Sequence, residues 1–549
     1  MHCPTCGQDL PEQAATCPHC GWTNEVSTQQ PMPSPWAQPD TPGTVPPGAP
    51  PVPATAGYGG PQEYRATHVP SPAIGPDFVI PPPPRKRRRL VGALIVALSI
   101  LLVGGGGVAV AGGYLGWYGG GKHPYDVMPA ATAAYLQLDL NPSVAQKLST
   151  WQFFSDVPDV RDALAQGQPD PKRMLWKWLV SNWAVATDSN YDRDVKPWLG
   201  DRVGFGVMRN GDRTAWMTAI QVTDEAKGVA QLRAWIAASQ QAYDVTARDG
   251  YALITMTPDT SSVLVELERA SLGEGGTFAS DLASLGDPGV MAGWSDLGTA
   301  PRAFSPGGGD QDLQGRVAFA LRFTADTMSL DGLVIGSNVA NGTGSIGAGE
   351  LGNLPATTGA AIGVSGGAAT LKLTWPHLGS EAGSWAEQAG LEQADVEALL
   401  GRQLSVGIPA AVLSGSSGDP AFGLRVVSDD VLRAQRSLRA VSSSFFQADV
   451  VVDAVDGEVL TAATTRGYFE ELTRAGSAKL SGSEVFTKAV PDHATATSAF
   501  FLDLRLAVRD GADMPQEYRP FFTALRGLGG EYLDEGSGDA SWSVRVVRA

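Results

Sequence analysis

The chain's four cysteines, Cys3, Cys6, Cys17 and Cys20, form two C-x2-C pairs separated by ten residues. Each pair can make a tight turn that aims two sulfurs at one ion, and Gly7 and Gly21 follow as φ-permissive residues. Four thiolates satisfy tetrahedral Zn²⁺ and leave no open position for catalysis. So short a segment cannot bury enough apolar surface to fold alone, so the metal is expected to supply most of its folding free energy. Two disulfides, or a redox-active C-x-x-C, are the alternatives, and the compartment decides between them. His2 and His19 each lie beside a better placed thiolate and are left out of the ligand set. The segment has no Lys or Arg and carries Asp9 and Glu12, so phosphate binding is not expected of it.

Nucleophilic chemistry elsewhere needs a base, and beyond residue 121 the only histidines are His123, His377 and His493. Gly363-Val364-Ser365-Gly366-Gly367 matches G-x-S-x-G, which exposes a serine between a strand and a helix. Here the following residues, Ala368 to Leu373, read as another strand, which argues against that turn. Asp188 to Asp194 begins like a calcium loop but lacks Gly at the sixth position and an acid at the twelfth. Asp139, Asp296 and Asp503 sit at related strand ends. They would either converge as a carboxylate cluster for acid/base work or cap the segments that follow, and capping is the simpler expectation.

Compartments follow from Arg85-Lys86-Arg87-Arg88-Arg89 and the thirty-two uncharged residues from Leu90 to Gly121. Its apolar core is long enough for a helix to span the ~30 Å hydrocarbon layer. Residues 90–116 are therefore expected to form a single transmembrane helix, a signal anchor with a cytoplasmic N-terminus. A cleaved secretory signal would lie nearer the N-terminus. Tyr114, Trp117 and Tyr118 mark the outer interface, and Gly112 with Gly116 offers a face for pairing with a second copy. This topology puts the cysteines in a reducing compartment and favours structural zinc over disulfides. Residues 24–89, rich in Pro, Gly, Thr and Ala, are expected to be a disordered, partly polyproline-II tether.

Beyond residue 121 the chain carries 51 acidic against 34 basic residues, which opposes nucleic acid and anionic headgroups. Sequence blocks recur there in one order: PWLGDRVGFGV from Pro197 with ALLGRQLSVGI from Ala398, and then matches aligning Asp224 with Asp429, Asp249 with Asp456, Phe278 with Phe486 and Asp296 with Asp503. The spacing between copies drifts only as loop insertions allow, so a tandem duplication is read, with copies at 122–345 and 350–549. Copy one reads as a hairpin about Asn210 and Gly211, and each copy as a helix capped by Asp224 or Asp429 followed by further strands. The expected class is α+β, a two-lobed ectodomain with antiparallel or mixed sheets packed on helices. The first copy alone is read as holding an insertion, 141–196, with Trp151, Trp176, Trp178 and Trp183.

Residues 1–23 resemble the short zinc ribbons at the N-termini of many bacterial membrane proteins. MPAATAAYLQLDLNPSVAQKL, DVKPWLGDRVGFGV and the DG strand resemble an uncharacterised exported family, domain of unknown function 3352, common in actinobacteria. That resemblance spans most of 126–510 and implies no activity, ligand or catalytic residue. The leading expectation is a membrane-anchored, envelope-associated binding protein. An unknown ligand or protein partner would lie outside and a protein partner for the ribbon inside. An envelope hydrolase and a carrier holding apolar molecules between the lobes are the alternatives.

Overall fold

The computed structural model divides into two compact units, Met1–Ile80 and Pro81–Ala549. It describes residues 122–549 except 166–169, 171, 174–175, 177–189, 212, 240–241, 301–313, 339–346, 376–385, 387–388, 416–420, 443–450, 475–477, 508–515 and 517–518. The four cysteines, the tether and the apolar run lie outside the described residues. Among those described, no helix is long and apolar enough to cross a membrane.

The protein is α+β, built on a large antiparallel sheet. Copy one supplies β1 (Thr132–Asp139), β2 (Leu199–Asn210), β3 (Arg213–Val222), β4 (Tyr243–Arg248), β5 (Tyr251–Met256), β6 (Met291–Asp296), β7 (Arg316–Phe323) and β8 (Thr327–Ile335). Copy two repeats them as β9 (Thr358–Ser365), β10 (Gln403–Pro409), β11 (Gly423–Val427), β12 (Val451–Asp456), β13 (Val459–Ala463), β14 (Ser498–Asp503), β15 (Leu525–Gly536) and β16 (Asp539–Arg548). The spatial order is β12-β13-β11-β10-β9-β14-β15-β16-β8-β7-β6-β1-β2-β3-β5-β4. Each half has the same order, and the halves meet where β8 pairs with its own counterpart, β16. The expected two lobes are thus one continuous sheet, because the last strand of each copy closes the other's open edge.

A pseudo-two-fold axis passes through that seam. Ala292, Ala320 and Asp331 stand opposite one another on β6, β7 and β8, as Ala499, Glu531 and Ser543 do on β14, β15 and β16. Asp331 then pairs with Ser543, its own equivalent. The structure also extends the repeat to MPAATAAYLQLD and LPATTGAAIGVS. Pro129 bridges Ser271 as Pro355 bridges Lys479, and Met128 and Leu354 each accept from the N–H of a leucine, Leu272 and Leu480.

Along a strand, side chains alternate between faces, so each face has its own cover. One face packs under helices α4 (Thr260–Arg269) and α5 (Gly276–Ser284), where Tyr135, Met217, Leu253 and Trp294 meet Val263 and Phe278. In copy two α9 (Arg466–Thr473) and α10 (Glu484–Ala489) do the same, with Tyr468 and Phe486 against Ala361 and Phe501. The opposite face is covered only in part. Helix α3 (Glu225–Ser239) lies over the β3–β5 edge through Val229 and Leu232, and α8 (Val431–Val441) lies over β10, β11 and β13 through Ala434 and Leu438. At one end of that face α1 (Val144–Phe153) packs Trp151, Phe153 and Phe154 on Leu321 and Phe323; α2 (Pro158–Ala165) follows it.

Three local expectations are corrected. Helices α6 (Gly367–Thr374) and α7 (Gln393–Leu400) occupy the β9–β10 connection, so a helical excursion belongs to both copies and 141–196 is only the longer form. The residues read as a strand at 368–373 lie in α6. Their Ala-Leu composition favours helix, and Leu371 packs beside Leu400 rather than on a ladder. In copy two Asp430, not Asp429, caps α8 by accepting the Arg433 N–H at 3.0 Å, while Asp224 caps α3 as expected.

Candidate functional site

Ser365 ends β9, Gly366 turns at φ +65° and α6 begins, so the strand-turn-helix context of G-x-S-x-G is present after all. The serine itself is not poised. It is 5% exposed, and its hydroxyl donates to the Thr497 carbonyl at 3.1 Å. His377 lies outside the described residues. His493 holds its Nδ1 3.0 Å from the Val490 carbonyl and packs its ring on Phe486, as a structural side chain does.

The three strand-end carboxylates do not converge. Leu138 pairs with Met291, which sets Asp139 and Asp296 at opposite ends of the β1–β6 ladder, and Asp503 belongs to copy two. Each instead accepts the backbone N–H two residues on: Asn141 to Asp139 at 2.8 Å, Gly298 to Asp296 at 2.9 Å and Arg505 to Asp503 at 3.0 Å. In the calcium-like segment, residues 188 and 189 are outside the described residues. The rest is one π-helical turn, Tyr191–Val195, whose Asp194 pairs with Arg193 at 2.6 Å and whose Asp192 pairs with Arg173 at 2.5 Å. Those carboxylates already have cations as partners.

Copy one does gather a polar cluster, at the end of β1 and β2. Arg202, 7% exposed, donates its Nε to Asp139 at 3.3 Å. Beside it His123 stacks on Tyr125 at 4.8 Å, and Asp126 accepts the His123 backbone N–H at 2.6 Å. Burial, then the Arg202 charge, lowers the His123 pKa below its ordinary 6.5, against the opposing pull of Asp126 and Asp139. Lys172 pairs with Asp201 at 2.7 Å, Asn141 donates to Asp201 at 3.1 Å, and burial lowers the Lys147 pKa. Copy two places Ser365 and Gln403 where copy one has Asp139 and Arg202, the partners being paired alike in the two ladders. The ion pair is therefore a property of one copy, not of the fold. Among the described residues, no three His, Cys, Asp or Glu side chains form a metal-holding group.

A larger feature is the half-covered face of the sheet. From β2 across the seam to β9, the interior positions on that face are apolar or uncharged except for Asp534 on β15, which stands opposite Ala540 one row beyond Tyr532. A single ladder row runs Phe205, Leu136, Gly293, Phe319, Gly332, Trp542, Tyr532 and Ser498. Its aromatic rings lie on neighbouring glycines. A Cβ at Gly293 would stand 2.3 Å from Phe319, one at Gly332 2.3 Å from Trp542, and one at Gly530 2.3 Å from Phe500. The large apolar side chains Phe205, Trp216, Ile362 and Phe500 remain 38–54% exposed on this face. Sequence reading missed them, although Val203, Phe205 and Val207 alternate visibly with Gly204, Gly206 and Met208.

No family model matches the chain, and no curated protein does. Among solved structures it matches one titled "Structure of crystal form III of TP0453", at 10% identity over 39% of this chain and 79% of that one, with a TM-score of 0.21. So low a score carries no argument about this protein. The resemblance to domain of unknown function 3352 rests on the quoted residues alone.

Proposed function

We propose that this is a single-pass membrane protein whose extracytoplasmic domain, residues 122–549, binds a ligand or partner in the cell envelope, while Cys3, Cys6, Cys17 and Cys20 hold a structural Zn²⁺ on the cytoplasmic side. The observation that carries the reading is the uncharged run from Leu90 to Gly121 behind five basic residues, which separates every cysteine from the acidic duplicated region. Binding is favoured over hydrolysis because Ser365 is buried and bonded to a carbonyl, and the strand-end aspartates serve as caps.

Two measurements test this. Metal analysis of the purified full chain should find one zinc per chain, lost when Cys3 and Cys17 are replaced by Ser. A membrane-impermeant thiol reagent on intact cells should label a single cysteine placed at exposed Lys122 and leave one at Gln8 untouched. The reverse pattern, or zinc retained by the double variant, would overturn the corresponding half.

A further inference from the structure

We infer that the half-covered apolar face of the sheet binds the hydrocarbon chains of membrane lipid. The inference rests on the membrane-anchored reading, because the bilayer is the source of the ligand. Apart from bulges near the strand ends, the backbone across that surface is paired strand to strand, and Asp534, toward one end of β15, is the charged side chain among the interior positions of the face. A glycan or a polar peptide laid across the aliphatic and glycine positions there would lose hydrogen bonds to water that the few polar groups of the face, such as Tyr532 and Ser498, replace only in part. A hydrocarbon chain loses nothing. It gains burial for itself and for Phe205, Trp216, Ile362 and Phe500, which stand 38–54% exposed. These residues lie on both sides of the pseudo-two-fold axis. At the usual spacing of neighbouring strands, Trp216 and Ile362 are about 40 Å apart along the sheet, enough for two chains of the kind that fill half of a ~30 Å bilayer core.

The short connection between the proposed anchor and Lys122 keeps the sheet near lipid. Lys122, the first residue beyond the uncharged run, is fixed to the sheet: Tyr251 donates its hydroxyl to the Lys122 carbonyl at 2.7 Å, and the ammonium pairs with Asp249 at 2.9 Å. Tyr251 opposes Gln221 at the same sheet end where β1 gives way to α1. On α1, Val144 and Leu148 are 62% and 58% exposed, one helical turn apart. The α1 ridge and Lys122 are thus at the same end of the sheet, with Lys122 held through Tyr251 from the α4 and α5 side.

The test uses the full chain in phosphatidylcholine nanodiscs that include phosphatidylcholine with a photoactivatable diazirine in its acyl chain. Peptides mapped after illumination should carry lipid adducts at two places, the 90–116 segment and the strands bearing Phe205, Ile362 and Phe500. Ile362→Asp with Phe500→Glu should lower the sheet adducts about tenfold or more, since an unpaired carboxylate on the face is costly to cover. Ile362→Leu with Phe500→Leu, and Val265→Asp on the opposite side, should leave them unchanged. Labelling of 90–116 without labelling of the sheet overturns the inference and leaves the anchor standing. Labelling of neither removes the anchor. Sheet adducts that persist in the carboxylate variant, or a face that cross-links to protein and not to lipid, also overturn it.

Discussion

Asp139 and Arg202 show what a residue can do once its counterpart in a second copy is known. Removing the carboxylate leaves a buried guanidinium short of its counter-charge, so Asp139→Ser should cost about 2–4 kcal/mol in denaturant unfolding. Copy two already satisfies the same backbone positions with Ser365 and Gln403. Asp139→Ser combined with Arg202→Gln should therefore recover most of that loss; a double variant no better than the single would show that the pair is not replaceable as a unit. His123 makes a second prediction from the same cluster. Its lowered pKa means that the unfolded chain binds a proton more readily than the folded one. Stability from this group is complete above pH 6.5 and is lost as pH falls below it. Unfolding followed between pH 7 and pH 5 should show that decline, and His123→Gln should flatten it.

At the scale of the element, the ring-on-glycine pairs have a property that no single strand reveals. Gly293 on β6 opposes Phe319 on β7, and the equivalent pair in copy two is Phe500 on β14 opposite Gly530 on β15. The ring and the gap have changed strands, but the pair survives. The volume above the ladder fits one ring and not two. Gly293→Phe alone should then lower stability by about 1–3 kcal/mol through overpacking. Gly293→Phe with Phe319→Gly, which copies the arrangement of β14 and β15, should restore most of it, as read from melting temperatures. Failure of that exchange would mean that the surroundings, not the pair, set the ring's position.

At the scale of the whole molecule, the sheet has no free edge at its centre only because two copies are present. A fragment of copy one, 122–345, would expose β8 and pair it with β8 of another fragment, as β8 pairs with β16 in the protein. The central pair would then be Asp331 against Asp331 in place of Asp331 against Ser543, and like charges directly opposite are unfavourable. Sedimentation should find Asp331→Ser fragments dimerising more tightly than unsubstituted ones. Equal association would show that the seam is not the route.

Much of this was legible in the sequence for a definite reason. Blocks repeated in order and hydrophobic period are one-dimensional signals, and they sufficed for the α+β class; the spacing of the cysteines and the run without charge are signals of the same kind, and the metal ligands and topology they suggest are proposals on residues outside the described ones. Capping of α3 by Asp224 was also local, set by the cap residue itself. What the sequence missed depends on pairing between distant strands. Residues 368–373 are too short a run for period alone to decide helix from strand. The aspartates looked alike along the chain, but antiparallel register sent two of them to opposite ends of one ladder. Two lobes became one sheet because β8 and β16, distant in sequence, each supply the edge that the other lacks. The apolar face exists only when every second residue of many strands is brought into one plane. The sequence thus determined what each segment is able to be, through composition and period, and the tertiary structure decided which segments face each other, because strand pairing acts across distances that local pattern does not encode.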